Sequence, residues 1–326
     1  MSTDRRLRVG TRASRLALWQ TDHVIARLES AWPGLTIERV PISTLGDRVT
    51  SVPLARIGDK GVFTRELEDG LRDQTIDLAV HSLKDLPTLP PDGLALGAIL
   101  EREDPRDALV GPEGATLATL PRGARIGTSS LRRRAQIAAA RPDLEIVDLR
   151  GNVPTRLDKV AAGEVHATVL ALAGLRRLGL ESRASEILTT RTLMPAPGQG
   201  ALAVQIRADD GELGQWLGKL DHLRTRLETT AERALLGYLE GGCQVPVGAI
   251  AGTLPDGAMT LAGLVASLDG RAVVRLERRA RVTTVEAAAA LGETVARELL
   301  DRGARDILAA IREAPVAPVV SKGGRS

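Results

Sequence analysis

The sequence predicts an α/β protein with two related halves, followed by a smaller α+β module. Short apolar runs alternate with helical patterns over the first two thirds of the chain, which is typical of a parallel sheet covered by helices. The last third changes to consecutive strands followed by helices. At 326 residues the chain is also too long for one ordinary core, so two or three domains are expected.

The first half begins with a strand and turn over 7–11 and a helix from its N-cap, Ser14, to about residue 30. The segment 46–61 is polar and rich in glycine with little periodicity, which indicates a mobile loop closed by the single phenylalanine, Phe63. The helix that follows Ser14 is predicted to bury the apolar stripe Leu18, Ile25 and Leu28. The other elements are a strand over 36–44, a helix over 64–73, and strands over 77–80 and 94–100.

A polar, proline-bounded stretch at 101–105 indicates a hinge, after which a second α/β pattern begins. It is predicted to contain strands near 125–127, 145–149, 167–172 and 201–206 and helices over 131–141, 154–162 and 175–178, with a break at 195–200. A helix over 223–239 leads into the last module. That module is predicted to have strands within 247–281, with turns at 255–257 and 268–270, and helices over 285–302 and 304–313.

A faint internal repeat links the two halves. Val9-Gly10-Thr11 followed by Ser14 resembles Ile126-Gly127-Thr128 followed by Ser130. In both, a strand ends in a Gly-Thr turn and a hydroxyl residue opens a helix, which is how anion sites at helix N-termini are built. Two such domains joined by hinges would enclose a cleft at the carboxyl ends of their strands.

Arginine far outnumbers lysine, although the net charge is only +3. Arg132, Arg133 and Arg134 fall in the first turn of a predicted helix, where each cation opposes the helix dipole by about 0.3–1 kcal/mol. The cluster is either a solvated basic face or a site for a polyanion. Arginines at equivalent strand-to-helix turns, Arg12, Arg150 and Arg156, favour a ligand with several carboxylates or phosphates.

Two residues are candidates for chemistry. Asp85 follows Lys84 at a strand end, where catalytic groups of α/β folds collect. It is either a carboxylate in an arginine-lined cleft, suited to stabilising a cation or transferring a proton, or part of a capping box that begins at Ser82. The single cysteine, Cys243, follows two glycines and precedes Pro246, and is either a small buried hydrophobe or a reactive thiol on a turn.

Other chemistries lack a signature. The sequence has no phosphate loop, no Gly-x-Gly-x-x-Gly after a strand and no metal-binding cluster of His and Cys, so no metal is expected. One cysteine excludes an internal disulfide, and no long apolar run or signal segment is visible. A cytoplasmic protein is therefore expected.

Seven segments together resemble the porphobilinogen deaminase (hydroxymethylbilane synthase) family, from about residue 7 to residue 313. They are GTRAS at 10–14, GDKGVF at 58–63, AVHSLKD at 79–85, GTSSLRR at 127–133, LRGNV at 149–153, PGQGA at 197–201 and EGGCQVP at 240–246. The resemblance implies two α/β domains similar to periplasmic binding proteins, joined by two crossovers, and a smaller C-terminal α+β domain. The implied bounds are 1–100 with 201–220 for domain 1, 101–200 for domain 2, 221–314 for domain 3 and a disordered tail over 315–326.

The resemblance also implies a transferase whose dipyrromethane cofactor is joined to Cys243 through a thioether. Porphobilinogen units would add head to tail with loss of ammonia, and water would release hydroxymethylbilane. Asp85 would protonate the leaving amine and stabilise cationic azafulvene-like intermediates. Phe63 would pack against a pyrrole ring, and Lys60 would lie on a mobile loop over the cleft. The residues implied to bind the cofactor or its acetate and propionate groups are Arg12, Ser14, Lys84, Thr128, Ser129, Ser130, Arg132, Arg133, Arg150, Gly151, Arg156, Arg177 and Gln199.

Two other functions stay open. A non-catalytic solute-binding protein for a polycarboxylate would share the cleft, although Cys243 would then have no role. Single-stranded nucleic acid would need stacking aromatics, which make up only 2% of the chain, so no nucleic-acid partner is expected, and no membrane partner either. The protein is predicted to be a monomer that passes its product to the next enzyme of tetrapyrrole synthesis. Two positions depart from the usual pattern of the family: Arg15 stands where a proline is common, and Arg56 stands where a lysine is common.

Overall fold

The computed structural model describes residues 5–48, 61–239 and 245–313. Within these ranges the chain forms three β-sheets with helices packed against them. None of the described helices is long and apolar enough to cross a membrane. Lys60, Arg56, Cys243, most of the predicted loop and the predicted tail lie outside the described residues.

The first sheet lies largely in the N-terminal part of the chain. Its strands are β1 (Arg6–Arg12), β2 (Thr36–Ile42), β3 (Leu78–Ser82), β4 (Leu94–Ile99) and β10 (Leu202–Arg207), in the order β2-β1-β3-β10-β4. Its helices are α1 (Arg15–Ala31), α2 (Leu45–Arg48), α3 (Arg65–Arg72) and α7 (Gly211–Leu217). Val9, Val204 and Trp216 are buried in one core, which makes strand β10 part of this domain even though it comes late in the sequence.

The second sheet repeats this arrangement. Its strands are β5 (Asp107–Val110), β6 (Arg125–Gly127), β7 (Glu145–Val147), β8 (Ala167–Ala171) and β9 (Glu186–Ile187), in the order β7-β6-β8-β5-β9. Its helices are α4 (Leu131–Ala140), α5 (Val153–Ala161) and α6 (Leu172–Arg177). The strand that ends in the Gly-Thr turn, β1 in the first sheet and β6 in the second, is the second strand in each sheet order, which confirms the internal repeat.

The expectation of a parallel sheet holds for only part of each sheet, because both sheets are mixed. β1 is parallel to β2 and β3, and β6 is parallel to β7 and β8. β10 runs antiparallel to β3 and β4, and β5 runs antiparallel to β8 and β9. Strands β5 and β10 enter their sheets by crossing over from the other domain, so the right-handed βαβ connection that makes neighbours parallel does not apply to them.

The C-terminal module is a three-stranded antiparallel sheet covered by helices, as predicted. It contains α8 (Leu223–Tyr238), β11 (Val247–Thr253), β12 (Ala258–Ala266), β13 (Val273–Arg281), α9 (Val285–Leu299) and α10 (Arg305–Glu313). Leu235 of α8, Leu261 of β12 and Val295 of α9 are buried in its core. The α/β class with two similar domains and a smaller α+β domain is therefore confirmed. The domain bounds stay a prediction, and the sheet to which each strand belongs agrees with them.

Glu232 of α8 fixes both crossovers to the C-terminal module. Its carboxylate pairs with Arg102 at 2.6 Å, and the two side chains are 0% and 7% exposed. It also accepts hydrogen bonds from the backbone N–H groups of Gly198 at 2.7 Å and Ala251 at 2.8 Å. Arg102 precedes β5 and Gly198 precedes β10, so one carboxylate holds the two connections between the first and second domains.

Local predictions succeeded at helix starts and failed on one helix face. Ser14 caps α1 by accepting from the N–H of Ala17 at 3.3 Å, as predicted. The buried face of α1 includes Val24 and Leu28, whereas Leu18 and Ile25 of the predicted stripe are only partly buried. Polar Gln20 and Thr21 occupy buried positions on this face, and a search for apolar spacing passes over them.

Candidate functional site

Asp85 lies in a pocket at the end of β3. It closes a three-residue 3₁₀ turn, Leu83–Asp85, that follows the strand directly. The Arg12 guanidinium stacks over the Phe63 ring, with its carbon 4.3 Å from the ring centroid. A carboxylate, a cation and an aromatic ring therefore line one pocket, whose walls are Arg12, Ala17, Gln20, Phe63, Thr64, Val80, His81, Ser82 and Asp85.

The alternative in which Ser82 opens a capping box is wrong. Its side chain makes no capping hydrogen bond to the turn. The Ser82 hydroxyl instead accepts a hydrogen bond from the Gln20 side-chain amide at 2.9 Å, which ties β3 to α1. The Asp85 carboxylate is thus not one arm of a cap, which leaves its predicted chemical role open.

His81 adds a neutral polar wall to this pocket. It is 4% exposed, and its Nε2 atom has no hydrogen-bond partner among the described residues. Burial lowers the pKa of His81 to about 4, with the nearby Arg12 charge acting in the same direction and the Gln205 side chain opposing both. The ring is therefore uncharged above about pH 5.

Lys84 is part of a polar network that joins the two α/β domains. Its ammonium donates to Gln199 Oε1 at 3.3 Å, and the buried Gln199 amide donates to Pro105 O at 2.7 Å and Asp107 Oδ1 at 3.0 Å. Burial lowers the pKa of Lys84 to about 8; the negative charge of Asp85 opposes this shift, and the positive charge of Arg133 adds to it. Lys84 therefore carries its charge at neutral pH but is close to losing it.

Asp107 is a site residue that the sequence did not reveal. It is fully buried at the start of β5 and pairs with two arginines of α4, with Arg132 at 2.8 Å and with Arg133 at 2.7 Å. Burial by itself would raise the pKa of Asp107, but the two guanidinium charges more than offset it and hold the pKa below its usual range. The only sequence signal was a carboxylate opening the short apolar run Ala108-Leu109-Val110.

Arg132 and Arg133 have further partners inside the protein. Arg132 donates to Met194 O at 2.6 Å, and Arg133 donates to Val169 O at 2.9 Å. Both residues are buried. Asp107 and the backbone carbonyls therefore compensate the positive charge that these arginines place in the first turn of α4. Their predicted contact with a ligand carboxylate stays a prediction.

The hydroxyl residues before α4 shape its N-terminus. Ser130 caps the helix by accepting from Arg133 N–H at 3.4 Å, and Thr128 accepts from Ser130 N–H at 3.2 Å. Ser129 donates its hydroxyl hydrogen to Leu149 O at 2.8 Å. These bonds fix the Gly-Thr-Ser-Ser turn next to the turn that contains Arg150.

A second group of cations is partly buried without a described carboxylate within 4 Å. Arg156 donates to Gly151 O at 2.8 Å and Arg177 to Gly200 O at 2.6 Å, both of them neutral acceptors. Burial lowers the pKa of each guanidinium to about 10; at Arg156 the charge of Arg133 adds to the effect and that of Asp148 opposes it, and at Arg177 the charge of Glu103 opposes it. The net lowering means that these carboxylate charges do not fully compensate the cost of burying the two guanidiniums.

The flanks of the Cys243 segment connect to the same region. The described chain ends before it at Leu239 and resumes at Val245. On the far side, β11 packs against the crossover, with Ala249 N–H donating to Pro195 O at 3.0 Å. The crossover that carries Gln199 therefore touches the strand that follows Cys243.

Comparison with known proteins gives matches over nearly the whole chain. The family described as "Porphobilinogen deaminase, dipyromethane cofactor binding domain" matches residues 7–215, and its "C-terminal domain" matches residues 226–301. Among solved structures, a putative methionine-binding lipoprotein from Bacillus subtilis matches with a TM-score of 0.42 and 12% identity, over 69% of this chain and 94% of that chain. A likeness at this level carries no argument about function.

The curated relatives are much closer. The porphobilinogen deaminase of Moorella thermoacetica is 54% identical over 306 residues, covering 94% of this chain and 96% of its own length. That of Syntrophobacter fumaroxidans is 49% identical over 312 residues, covering 96% of this chain and 100% of its own length. On these matches, the chain belongs to the porphobilinogen deaminase family.

Proposed function

We propose that this protein is a transferase that joins four porphobilinogen molecules head to tail, with release of ammonia, into hydroxymethylbilane. The observation that carries the proposal is the pocket where Asp85 meets Arg12 and Phe63, with Lys84 beside it. Each porphobilinogen carries two carboxylates and an aminomethyl group. The cations match the carboxylates, the ring offers a face to the pyrrole, and Asp85 is a proton donor for the departing amine.

The donor set fits a dipyrromethane cofactor. This group is a polyanion, and the partly buried Arg156 and Arg177 have pKa values lowered to about 10 in the absence of a described carboxylate partner. Carboxylates bound there would raise both pKa values and offset the desolvation penalty by their attraction to the guanidiniums. When bound through Cys243, the dipyrromethane supplies the primer from which the product chain grows. Lys84, Ser130 and Arg150 are further proposed contacts for its acetate and propionate groups.

Each remaining side chain has a proposed task in this pocket. Asp85 holds a proton at the substrate amine and afterwards, as a carboxylate, stabilises positive charge beside it. His81 is uncharged above about pH 5, so it adds no competing cation next to Arg12. Gln199 orients the Lys84 ammonium through a hydrogen bond of 3.3 Å. Lys60 is proposed to cover the cleft, and that role stays a prediction.

The setting of the protein is also a proposal. One cysteine in 326 residues agrees with a reducing compartment, which supports a cytoplasmic location. A monomer that hands hydroxymethylbilane to the next enzyme of tetrapyrrole synthesis is proposed from the family alone. A non-catalytic solute-binding function is the alternative, and no contact in the described residues favours it over chemistry.

A turnover assay tests the proposal. Purified protein with porphobilinogen should release ammonia and hydroxymethylbilane. Asp85→Asn should lower kcat by about 10²–10⁴-fold, because the proton donor is lost. Asp92→Asn is the matched control, since Asp92 is exposed on the following loop. Binding of porphobilinogen without any release of ammonia by the wild-type protein would favour the solute-binding alternative, and near-normal turnover of Asp85→Asn would remove Asp85 from its role.

A further inference from the structure

We infer that Arg233, on α8 of the C-terminal module, is a positioning residue that holds the Asp85 turn by binding its backbone carbonyls. This inference rests on the proposed function, in which Asp85 is the proton donor. It concerns a residue that lies outside the Asp85 pocket and belongs to a different domain.

The Asp85 turn has more backbone acceptors than donors. Leu83–Asp85 is a single 3₁₀ turn, and the carbonyls at the end of so short a helix have no partner within it. Pro87, Pro90 and Pro91 follow, and each of them lacks an N–H group. A carbonyl that is shielded from water and has no donor is unfavourable, so donors from elsewhere in the fold stabilise this segment.

Arg233 supplies those donors. Its Nη2 atom lies 2.5 Å from Pro87 O and 2.9 Å from Thr88 O, and its Nη1 atom lies 3.3 Å from Leu86 O and 3.4 Å from Leu83 O. Arg233 is 9% exposed, and its bonds to Leu83 and Leu86 are buried, whereas those to Pro87 and Thr88 are partly buried. Only a guanidinium has five N–H donors in one rigid plane, which suits it to a curved row of carbonyls.

Two further contacts define where the turn is held. Gly237, one helical turn after Arg233, faces Thr88, and a Cβ atom there would lie 3.4 Å from the Thr88 hydroxyl. Leu83 is also fully buried, in a cluster with Ile99 of β4 and Ala203 of β10. The turn is therefore clamped between the first sheet and α8, so the position of Asp85 depends on both domains.

This clamp has a consequence for the reaction. Helix α8 ends at Tyr238, shortly before the proposed anchor Cys243 in the sequence. The helix that leads to the anchor thus also holds the turn of the proton donor. Loss of the clamp should displace Asp85 relative to the bound substrate without removing any group that contacts substrate.

Steady-state kinetics of three variants test the inference. Arg233→Ala should lower kcat by about 100-fold with little change in KM, the loss expected when a reacting group shifts by about an ångström. Arg233→Lys should lie between wild type and Arg233→Ala, because an ammonium has three donors and no planar fork. Millimolar guanidinium should restore part of the activity of Arg233→Ala. The matched control is Arg224→Ala on the same helix, whose side chain is 60% exposed and paired with Glu228.

Hydrogen exchange measures whether the Asp85 turn itself loosens, which activity alone does not show. The Leu86 N–H donates to Leu83 O at 3.2 Å within the turn. Backbone exchange over 83–88 should speed up in Arg233→Ala and not in Arg224→Ala, with cofactor loading unchanged by intact mass. If Asp85→Asn is inactive but Arg233→Ala keeps normal kcat and normal exchange, the positioning role is wrong while the proposed function stands. If Asp85→Asn keeps near-normal kcat, Asp85 is not the proton donor and the positioning role of Arg233 falls with it; the proposed function itself fails only if the wild-type protein releases no ammonia from porphobilinogen.

Discussion

Asp107→Asn is the substitution whose effect is best defined by the structure. The Asp107 carboxylate is fully buried and lies 2.8 Å from an Arg132 nitrogen and 2.7 Å from an Arg133 nitrogen. The two arginine side chains are only 5% and 7% exposed. Asparagine keeps the shape of the side chain but removes the negative charge, which leaves two buried guanidiniums facing each other.

The expected loss is large compared with the stability of a domain. Removing one partner of a buried ion pair costs about 3–5 kcal/mol. A domain of about 100 residues loses about 4–8 °C in Tm per kcal/mol, so the second α/β domain should melt at least about 12 °C lower. Gln199 also loses an ionised acceptor, so the link from Asp107 to Lys84 should weaken and KM should rise.

Calorimetry across pH provides the assay. The pKa of Asp107 is lowered from its ordinary value of 3.8, so its contribution to stability is present above that value and is lost as pH falls below it. The difference in Tm between wild type and Asp107→Asn should therefore be constant from pH 5 to 8 and should narrow below about pH 4. Asp158→Asn, at an exposed position on α5, is the control. An Asp107→Asn protein that melts with the wild type at pH 7 would refute this reasoning.

Two further predictions concern Lys84 and the contact between the second and third domains. The pKa of Lys84 is lowered to about 8, so its ammonium loses its charge and KM for porphobilinogen should rise as pH increases through 8. Lys84→Met should have a high KM without that rise. A wild-type KM that stays flat from pH 7 to 9.5 would contradict this role. Gly270 has φ +74°, and a Cβ atom there would lie 2.2 Å from Ala139 N of α4, so Gly270→Ala should lower Tm. Gly257 has φ +79° but open space around it, so Gly257→Ala should be destabilised only by backbone strain, by about 1–2 kcal/mol. If both variants show the same decrease in Tm, the Gly270 turn does not pack tightly on α4.

Much of the fold was visible in the sequence because its signals are local. Ser14 and Ser130 cap the helices that follow the two Gly-Thr turns, as their positions predicted. The three strands and the turns of the C-terminal module also follow from short-range patterns. Strand β5, with only four residues, and β9, with two, are too short to give a period, and both were missed. The antiparallel direction of β5 and β10 depends on the crossovers and has no local signature.

The site divides in the same way. Asp85 and Lys84 could be singled out because a charged pair at a strand end is unusual. Asp107 could not, because its importance comes from Arg132 and Arg133 across the domain. Those two arginines were expected to face a ligand, and only the three-dimensional structure shows that they also neutralise a buried carboxylate. Arg233 was missed for a similar reason, since its acceptors are carbonyls about 145–150 residues earlier in the chain.

Intact-mass spectrometry of the purified protein decides whether the proposed chemistry is correct. We expect the wild-type protein to be heavier than its sequence by one dipyrromethane. Cys243→Ser should have the unmodified mass and no turnover, whereas Asp85→Asn should carry the added mass and turn over slowly. Wild-type protein that converts porphobilinogen to hydroxymethylbilane at its unmodified mass would contradict a covalent primer on Cys243.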